Sequence, residues 1–362
     1  MPIASADIEE FSKGGGGREL VEKETAKIVV GEFSTVTREA EPGGTQDLPT
    51  AMQPAADGVL SMPHGFTLRE VEGKGLGAFA IQVFHRGDLI LVDKPLFIVD
   101  KPDSGGSVYQ SNISSAFQKL SVDEKREFLS LKNGHAGSQH LSDPVLGIAS
   151  SNAFAVSDTA SAIGILASRF NHSCSPNARY SWHAEGGRLR IHALREIAIG
   201  EEIYVSYLSG RHVYGSHRTD RQNRLKIYGF ICTCTVCSLP SSEQKASDTR
   251  RVEIARIWES VPYFMPHQTA DRLRAIVRAV RLLEEESYAA DADDFTNNAA
   301  AICACHADWE SVRYWATKTY ETRVAEFGED SRRAAEVRNL YLDLRRSPHA
   351  ATQREQKFTV RL

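Results

Sequence analysis

The sequence predicts a mainly β core of short strands that carries a helical insertion, a metal-binding cysteine segment and an α-helical C-terminal region. Three observations predict it. Apolar residues partly alternate between glycine turns over residues 65–92 and again over 180–207, the pattern of half-buried strands. Apolar residues recur at helical spacing from about 105 to 168 and again beyond Ser238. Between these blocks lie Arg169-Phe170-Asn171-His172-Ser173-Cys174-Ser175-Pro176-Asn177 and, downstream, Cys232-Thr233-Cys234-Thr235-Val236-Cys237. The second of these has the spacing of a metal knuckle.

Residues 1–62 contain Gly14-Gly15-Gly16-Gly17, Pro42-Gly43-Gly44, Pro49 and Pro54 but little that would build a core face, so disorder is expected. The one short apolar piece, Ala26-Lys27-Ile28-Val29-Val30, has edge-strand character. Order is expected from Pro63, with a core domain over 63–210. Phe66, Leu68 and Val71 alternate, the turn Gly73-Lys74-Gly75-Leu76-Gly77 follows, and Ala78-Phe79-Ala80-Ile81 and Asp88-Leu89-Ile90-Leu91-Val92 read as further strands. The insertion, about 105–168, places Phe117, Leu120, Phe128, Leu129 and Leu131 around the charged Asp123-Glu124-Lys125-Arg126-Glu127. A hairpin is expected where Glu185-Gly186-Gly187 joins Arg179-Tyr180-Ser181-Trp182 to Leu189-Arg190-Ile191-His192-Ala193-Leu194. A short charged helix over 217–228 leads into the cysteines within a 211–240 segment.

Residues 241–362 are rich in helix formers, with apolar stripes at Val252, Ile254, Ile257 and Trp258 and at Leu273, Ile276, Val277, Val280 and Leu283. The stretch from Ala299 past Asp308-Trp309 and Tyr314-Trp315 has the texture of tetratricopeptide-like (TPR-like) helix pairs, without a clean 34-residue period.

With 41% hydrophobic and 25% charged residues among 362, the chain has the composition of a soluble globular protein. A formal charge of -4 argues against general nucleic-acid binding, which needs a basic face. No apolar run is long enough to span a bilayer, and the first residues lack the pattern of a signal peptide. Six cysteines, the earliest at Cys174, suit a reducing compartment. The expectation is a monomer of the cytoplasm or nucleus, with no membrane partner.

A C-x-C-x2-C triplet offers three thiolates to one tetrahedral Zn2+, and a closed structural site needs a fourth protein ligand, for which Cys174 is the candidate. Alone, the Asn-His-Ser-Cys string is equally a turn with an incidental thiol, and the triplet equally a redox pair. Together, with Gly200-Glu201-Glu202-Ile203-Tyr204-Val205-Ser206-Tyr207 between them, they resemble the C-terminal half of a SET domain, the fold of a family of protein lysine methyltransferases.

The resemblance covers about residues 65–238 and implies a mainly β SET fold with a pseudoknot-like crossing, where 171–177 meets 200–207, and a post-SET zinc site at Cys174, Cys232, Cys234 and Cys237. It implies S-adenosyl-L-methionine as donor, bound beside Gly73, Lys74, Gly75 and Leu76 and by Asn152, Asn171, His172, Tyr207 and Phe230. Tyr207 matches the catalytic tyrosine, while Phe154, Tyr207 and Tyr228 would wall the channel for the substrate lysine. Such a channel answers a chemical need. Presenting a neutral lysine amine at about pH 7.5 costs roughly 4 kcal/mol, and apolar surroundings lower that cost by desolvating the ammonium.

Within the family the chain looks most like the SET-and-MYND and related fungal-type SET-domain proteins. It departs from them in having no cysteine over 78–173, where a MYND zinc finger would need ligands, and it also lacks a cysteine-rich pre-SET cluster. The implied activity is transfer to lysines of histones or other proteins, with chromatin among the expected settings. A catalytically silent scaffold that binds partner peptides and a zinc-dependent nucleic-acid module are the rival readings. Glu201 and Glu202, adjacent on a strand, point to opposite faces and read as structural. Arg211, Arg218, Arg221, Arg224 and Lys226 read as a solvated helix face, and Cys303 and Cys305 as packing.

Overall fold

The computed structural model describes residues 65–101, 106–137, 141–342 and 350–362. The expected disorder of 1–62 and the edge strand at 26–30 lie outside them. Strands β1 (Phe66–Val71) and β2 (Gly75–Ala80) pair antiparallel, Phe66 opposite Ala80 and Val71 opposite Gly75. Their turn closes because Gly73 and Gly75 take φ of 72° and 82°, left-handed values that a side chain would resist. Strands β3 (Leu89–Asp93) and β4 (Phe97–Asp100) follow.

The insertion holds α1 (Gly106–Gln118), α2 (Val122–Leu129) and α3 (Pro144–Asn152). A capping box starts α2: Ser121 Oγ accepts the Glu124 N–H, and the Glu124 carboxylate accepts the Ser121 N–H at 2.8 Å. Asp143 caps α3 through the Val145 N–H, with Pro144 at the first helical position. The helical part ends at Asn152, well before 168. Strands β5 (Ala153–Ser157) and β6 (Ala160–Ile163) form a hairpin that joins β4 in the order β4-β6-β5. Alanine and serine dominate both strands, so the β-branched and aromatic signal that marks a strand in sequence is weak there.

Strands β7 (Asn171–His172), β8 (Ala178–His183), β9 (Arg188–Ala193) and β10 (Tyr204–Val205) complete the SET-fold core. The hairpin β8–β9 extends β3 in the order β3-β9-β8. Strands β7 and β10 pair in parallel, Asn171 opposite Tyr204 and His172 opposite Val205, so the two motif segments meet as the SET fold requires. Asn177 secures the junction: its amide donates to Glu202 O at 2.9 Å, and its Oδ1 accepts the Tyr204 N–H at 2.7 Å. Phe66, Ile90, Phe154, Phe170, Ile191 and Ile203 fill the core beneath.

Helices α4 (Gly210–Tyr214) and α5 (Arg218–Leu225), then one 3-10 turn, lead to the cysteines. The C-terminal region comprises α6 (Ser241–Ser260), α7 (Thr269–Glu285), α8 (Ala292–Cys305), α9 (Trp309–Phe327) and α10 (Arg332–Leu342), each packed on the next. Leu273, Ile276, Phe295 and Trp315 lie in their shared core. No helix of the described residues is long and apolar enough to cross a membrane.

Arg179 on β8 pins these helices to the β core. Its Nη1 donates to Asp291 Oδ1 at 2.5 Å and to Glu326 Oε2 at 2.7 Å, and Glu326 also accepts the Asp291 N–H. Burial pushes the Glu326 carboxyl up to about 8. Burial, followed by the charges of Asp293 and Asp291, pushes Asp294 up to about 7.

Arg179→Ala would leave the buried Asp291 carboxylate without its cation and the Glu326 carboxyl without its donor, and should cost about 3–5 kcal/mol in urea denaturation; a loss under about 1 kcal/mol would contradict this role. Because Asp294 holds its proton to about pH 7 in the fold against an ordinary carboxyl value of 3.8, its contribution to stability is complete below the lower value. It drains away as pH rises through the higher one. Asp294→Asn should therefore reduce the fall in Tm between about pH 5 and 8, and an unchanged pH profile would refute the assignment.

Candidate active site

Five parts of the chain converge on a cavity of about 260 Å³. The β1–β2 turn contributes Glu72, Gly73, Lys74 and Leu76; the insertion contributes Lys132, Ser151 and Asn152; the chain around β7 contributes Ser168, Arg169, Asn171 and His172. Tyr207 and the segment from Tyr228 through Phe230 to Cys234 close it. Of the residues expected at a donor site, only Gly75 is absent from this lining. Phe154 does not reach the cavity; it is buried against Tyr180, ring centroids 5.0 Å apart. Sequence reasoning gave no site role to Lys132 and Ser168, which lie outside any motif, or to Ser151 and Arg169, which stand at the edges of motif segments.

An aromatic corner surrounds Tyr207. Its ring centroid lies 5.1 Å from that of Tyr228, 6.1 Å from Phe230 and 5.3 Å from His172. The Tyr207 hydroxyl donates to Phe170 O at 3.0 Å, and that of Tyr228 donates to Tyr207 O at 3.4 Å. Burial raises both phenols above their ordinary range, so each keeps its proton at neutral pH and neither is a base.

His172 Nδ1 accepts the Tyr207 N–H at 3.0 Å, which leaves the proton of the neutral ring on Nε2. That nitrogen stands 3.4 Å from Cys174 Sγ. Burial lowers the ring's pKa to about 4, so it is neutral at pH 7. Asn171 is oriented by Glu202, whose Oε1 accepts its amide at 2.8 Å while Oε2 accepts the Tyr204 hydroxyl at 2.5 Å. Glu201 instead bonds Asn177 and Arg195. The two adjacent carboxylates part to opposite sides and do not form a catalytic pair.

Cys174, Cys232, Cys234 and Cys237 gather with their sulfurs within 4.8 Å of one another. Four sulfurs at about 2.3 Å from a tetrahedral zinc ion stand about 3.8 Å apart. Cys174 Sγ and Cys237 Sγ are 3.6 Å apart, and the donor set is the one that structural zinc takes. The cluster is consistent with a post-SET zinc site.

The surroundings suit thiolates. The Cys174 N–H points at Cys234 Sγ at 3.4 Å, and hydrogen bonds from the other three thiols, Cys174 first, draw the Cys234 pKa down. Arg221 is the exception to the solvated face read from α5. It is wholly buried, its Nε and Nη2 have no hydrogen-bond partner, its Nη1 donates to Ser216 O and faces Asp248 Oδ1 at 3.5 Å, and it lies near enough to Cys174 and Cys237 for their charges to raise its pKa. A Zn2+ ion with four thiolates carries a net charge of about -2, and a buried guanidinium beside it offsets part of that charge. Cys303 is buried within α8 and Cys305 half-buried at its end, outside any metal-ligating group of the described residues.

Ser206 and Leu208, the neighbours of Tyr207, line a second cavity of about 400 Å³ together with Ala155, Val156, Tyr180, Tyr288 and Phe327. The 206–208 segment is therefore a shared wall, with Tyr207 on the first cavity and its two neighbours on the second.

Residues 75–208 match the family model described as SET domain. The histone-lysine N-methyltransferase set5 of Schizosaccharomyces pombe is 28% identical over 269 residues, 74% of this chain and 80% of that protein. The human protein-lysine N-trimethyltransferase SMYD5 is 37% identical over 87 residues, 23% of this chain and 20% of that protein. The solved SET domain of LSMT bound to lysine and AdoHcy aligns with 82% of this chain and 91% of its own, at 14% identity and a TM-score of 0.30. On the match over 75–208, the β7–β10 junction and the four-cysteine cluster, this chain carries a SET domain and is similar to the fungal set5 and SMYD-type lysine methyltransferases.

Proposed function

We propose that this chain is an S-adenosylmethionine-dependent protein-lysine N-methyltransferase acting on lysines of histones or other proteins. The observation that carries the reading is the place of Tyr207, in the wall between a cavity that joins charged and amide side chains to an aromatic side and a separate cleft lined by β5 and the C-terminal helices. Such a wall lets a donor and an amine approach one point from opposite sides, as in-line transfer demands. The names of the fission-yeast and human relatives support the same reading.

S-adenosylmethionine, when bound in the first cavity, supplies an electrophilic methyl. The chain's own residues do the rest. Phe230 offers a face to the purine, the Asn152 and Asn171 amides and the 73–76 main chain offer polar contacts, and Tyr228 and Phe230 keep water from the corner. The incoming lysine gives up its proton to solvent water before attack, because the apolar walls of Tyr207, Tyr228 and Tyr180 destabilise the ammonium. Tyr207 keeps its own proton on the hydroxyl, turned to Phe170 O, and acts by orienting the amine and the methyl. Zn2+ on Cys174, Cys232, Cys234 and Cys237 would fasten the segment that carries Tyr228 and Phe230.

Tyr207→Phe should bind S-adenosylmethionine with unchanged affinity yet transfer methyl to a peptide or protein array about 10²-fold more slowly. Donor binding by the wild-type chain without any transfer would favour a silent scaffold. Purified protein should contain about one zinc per chain by plasma mass spectrometry, and Cys174→Ser should lose it. Full zinc retention in that variant would break the link between the cluster and β7.

A further inference from the structure

The family resemblance accounts for cavity walls from the β1–β2 turn, β7, Tyr207 and the 228–234 segment, but not for Lys132, which the insertion delivers between α2 and α3. Its backbone is held firmly. Lys132 O accepts the Asn152 amide at 2.8 Å, and Gly134 N–H donates to Ser151 Oγ at 2.9 Å. Gly134 itself lies against the closing segment: a Cβ there would stand 2.2 Å from Tyr228 O, and one on Gly229 would stand 2.0 Å from Gly134 O. Insertion and closing segment thus meet backbone to backbone, a contact that only glycine allows at both positions. From this anchored point the Lys132 side chain crosses to the opposite wall and donates from Nζ to Gly73 O at 3.1 Å.

The cavity is lined by three cations, Lys74, Lys132 and Arg169, against one carboxylate, Glu72. Arg169 is occupied, with its guanidinium bonded to Ser130 O and Ser130 Oγ at 3.1 and 2.6 Å. The Lys74 ammonium lies over the Tyr204 ring, 5.2 Å from its centroid. Lys132 has a neutral carbonyl as its hydrogen-bond acceptor and no ion pair among the described residues, so an ammonium with three donors has capacity to spare. The donor carries one anionic group, the α-carboxylate of its amino-acid end. We propose that Lys132 seats this carboxylate beside Gly73, so that the helical insertion supplies part of the donor site. The assignment rests on the donor reading above and deepens it.

Calorimetry on the full chain separates the two. S-adenosylmethionine and its decarboxylated analogue are titrated into wild type, Lys132→Met and Lys132→Arg. A charge-assisted contact predicts that Lys132→Met weakens S-adenosylmethionine roughly tenfold or more, while it binds the decarboxylated analogue as wild type does and Lys132→Arg keeps most of the affinity. Equal weakening for both ligands would mean that Lys132 only shapes the cavity or contacts the nucleoside, and no weakening for either would mean that it is idle; each result overturns the proposal. Should wild type bind neither ligand, the donor reading itself falls and takes this assignment with it. Lys132 is exposed, so Lys132→Met should melt as wild type does.

Discussion

The structure depends on one long-range tie, the gathering of Cys174 with Cys232, Cys234 and Cys237. The wall around Tyr207 and the closing segment that carries Tyr228 and Phe230 both hang from it. Two residues before Cys174 stands His172, whose ring accepts the Tyr207 main-chain N–H, and two residues before Cys232 stands Phe230. A force that draws the late triplet onto Cys174 therefore also draws Phe230 and Tyr228 onto Tyr207. The His172 ring is the mechanical link, one nitrogen turned to Cys174 Sγ and the other to Tyr207 N–H, and it does this work uncharged.

Two buried arginines brace the tie from the other side. Arg221 brings a guanidinium to the thiols, and Arg251 on α6 donates to Cys174 O at 3.2 Å, to Val213 O at 2.9 Å and to the Glu286 carboxylate at 2.7 Å. The C-terminal helices grip the loop after β7 again where Ser175 Oγ donates to Ser287 O at 2.6 Å. They are thus part of the scaffold of the site, and their second attachment, through Arg179, borders the cleft on the far side of Tyr207.

Much of this was legible in the sequence because it rests on short-range rules. Thiol spacing marks three of the four cysteines that cluster, glycines mark the β1–β2 turn, and the Asn171-to-Asn177 and Gly200-to-Tyr207 strings name the segments that pair. What escaped depends on where long side chains end. Lys132 meets Gly73 across 59 positions, which no local pattern encodes. Arg221 sits in a charged helix whose other basic residues are exposed, and its turn toward the thiols shows only in three dimensions. Phe154 was placed by a motif, but its strand directs the ring onto Tyr180 within the core. The helical part of the insertion ends short of 168 because β5 and β6 are built of small residues and become strands through pairing, β6 with β4 and β5 with β6.

Hydrogen exchange followed by mass spectrometry, before and after chelation of the purified protein, tests the central tie most directly. If the cluster holds the cavity together, metal removal raises exchange in 226–238 and, with it, in 170–177 and 204–208. Faster exchange confined to the cysteine segment, with Asn171, His172 and Tyr207 as protected as before, would contradict the account.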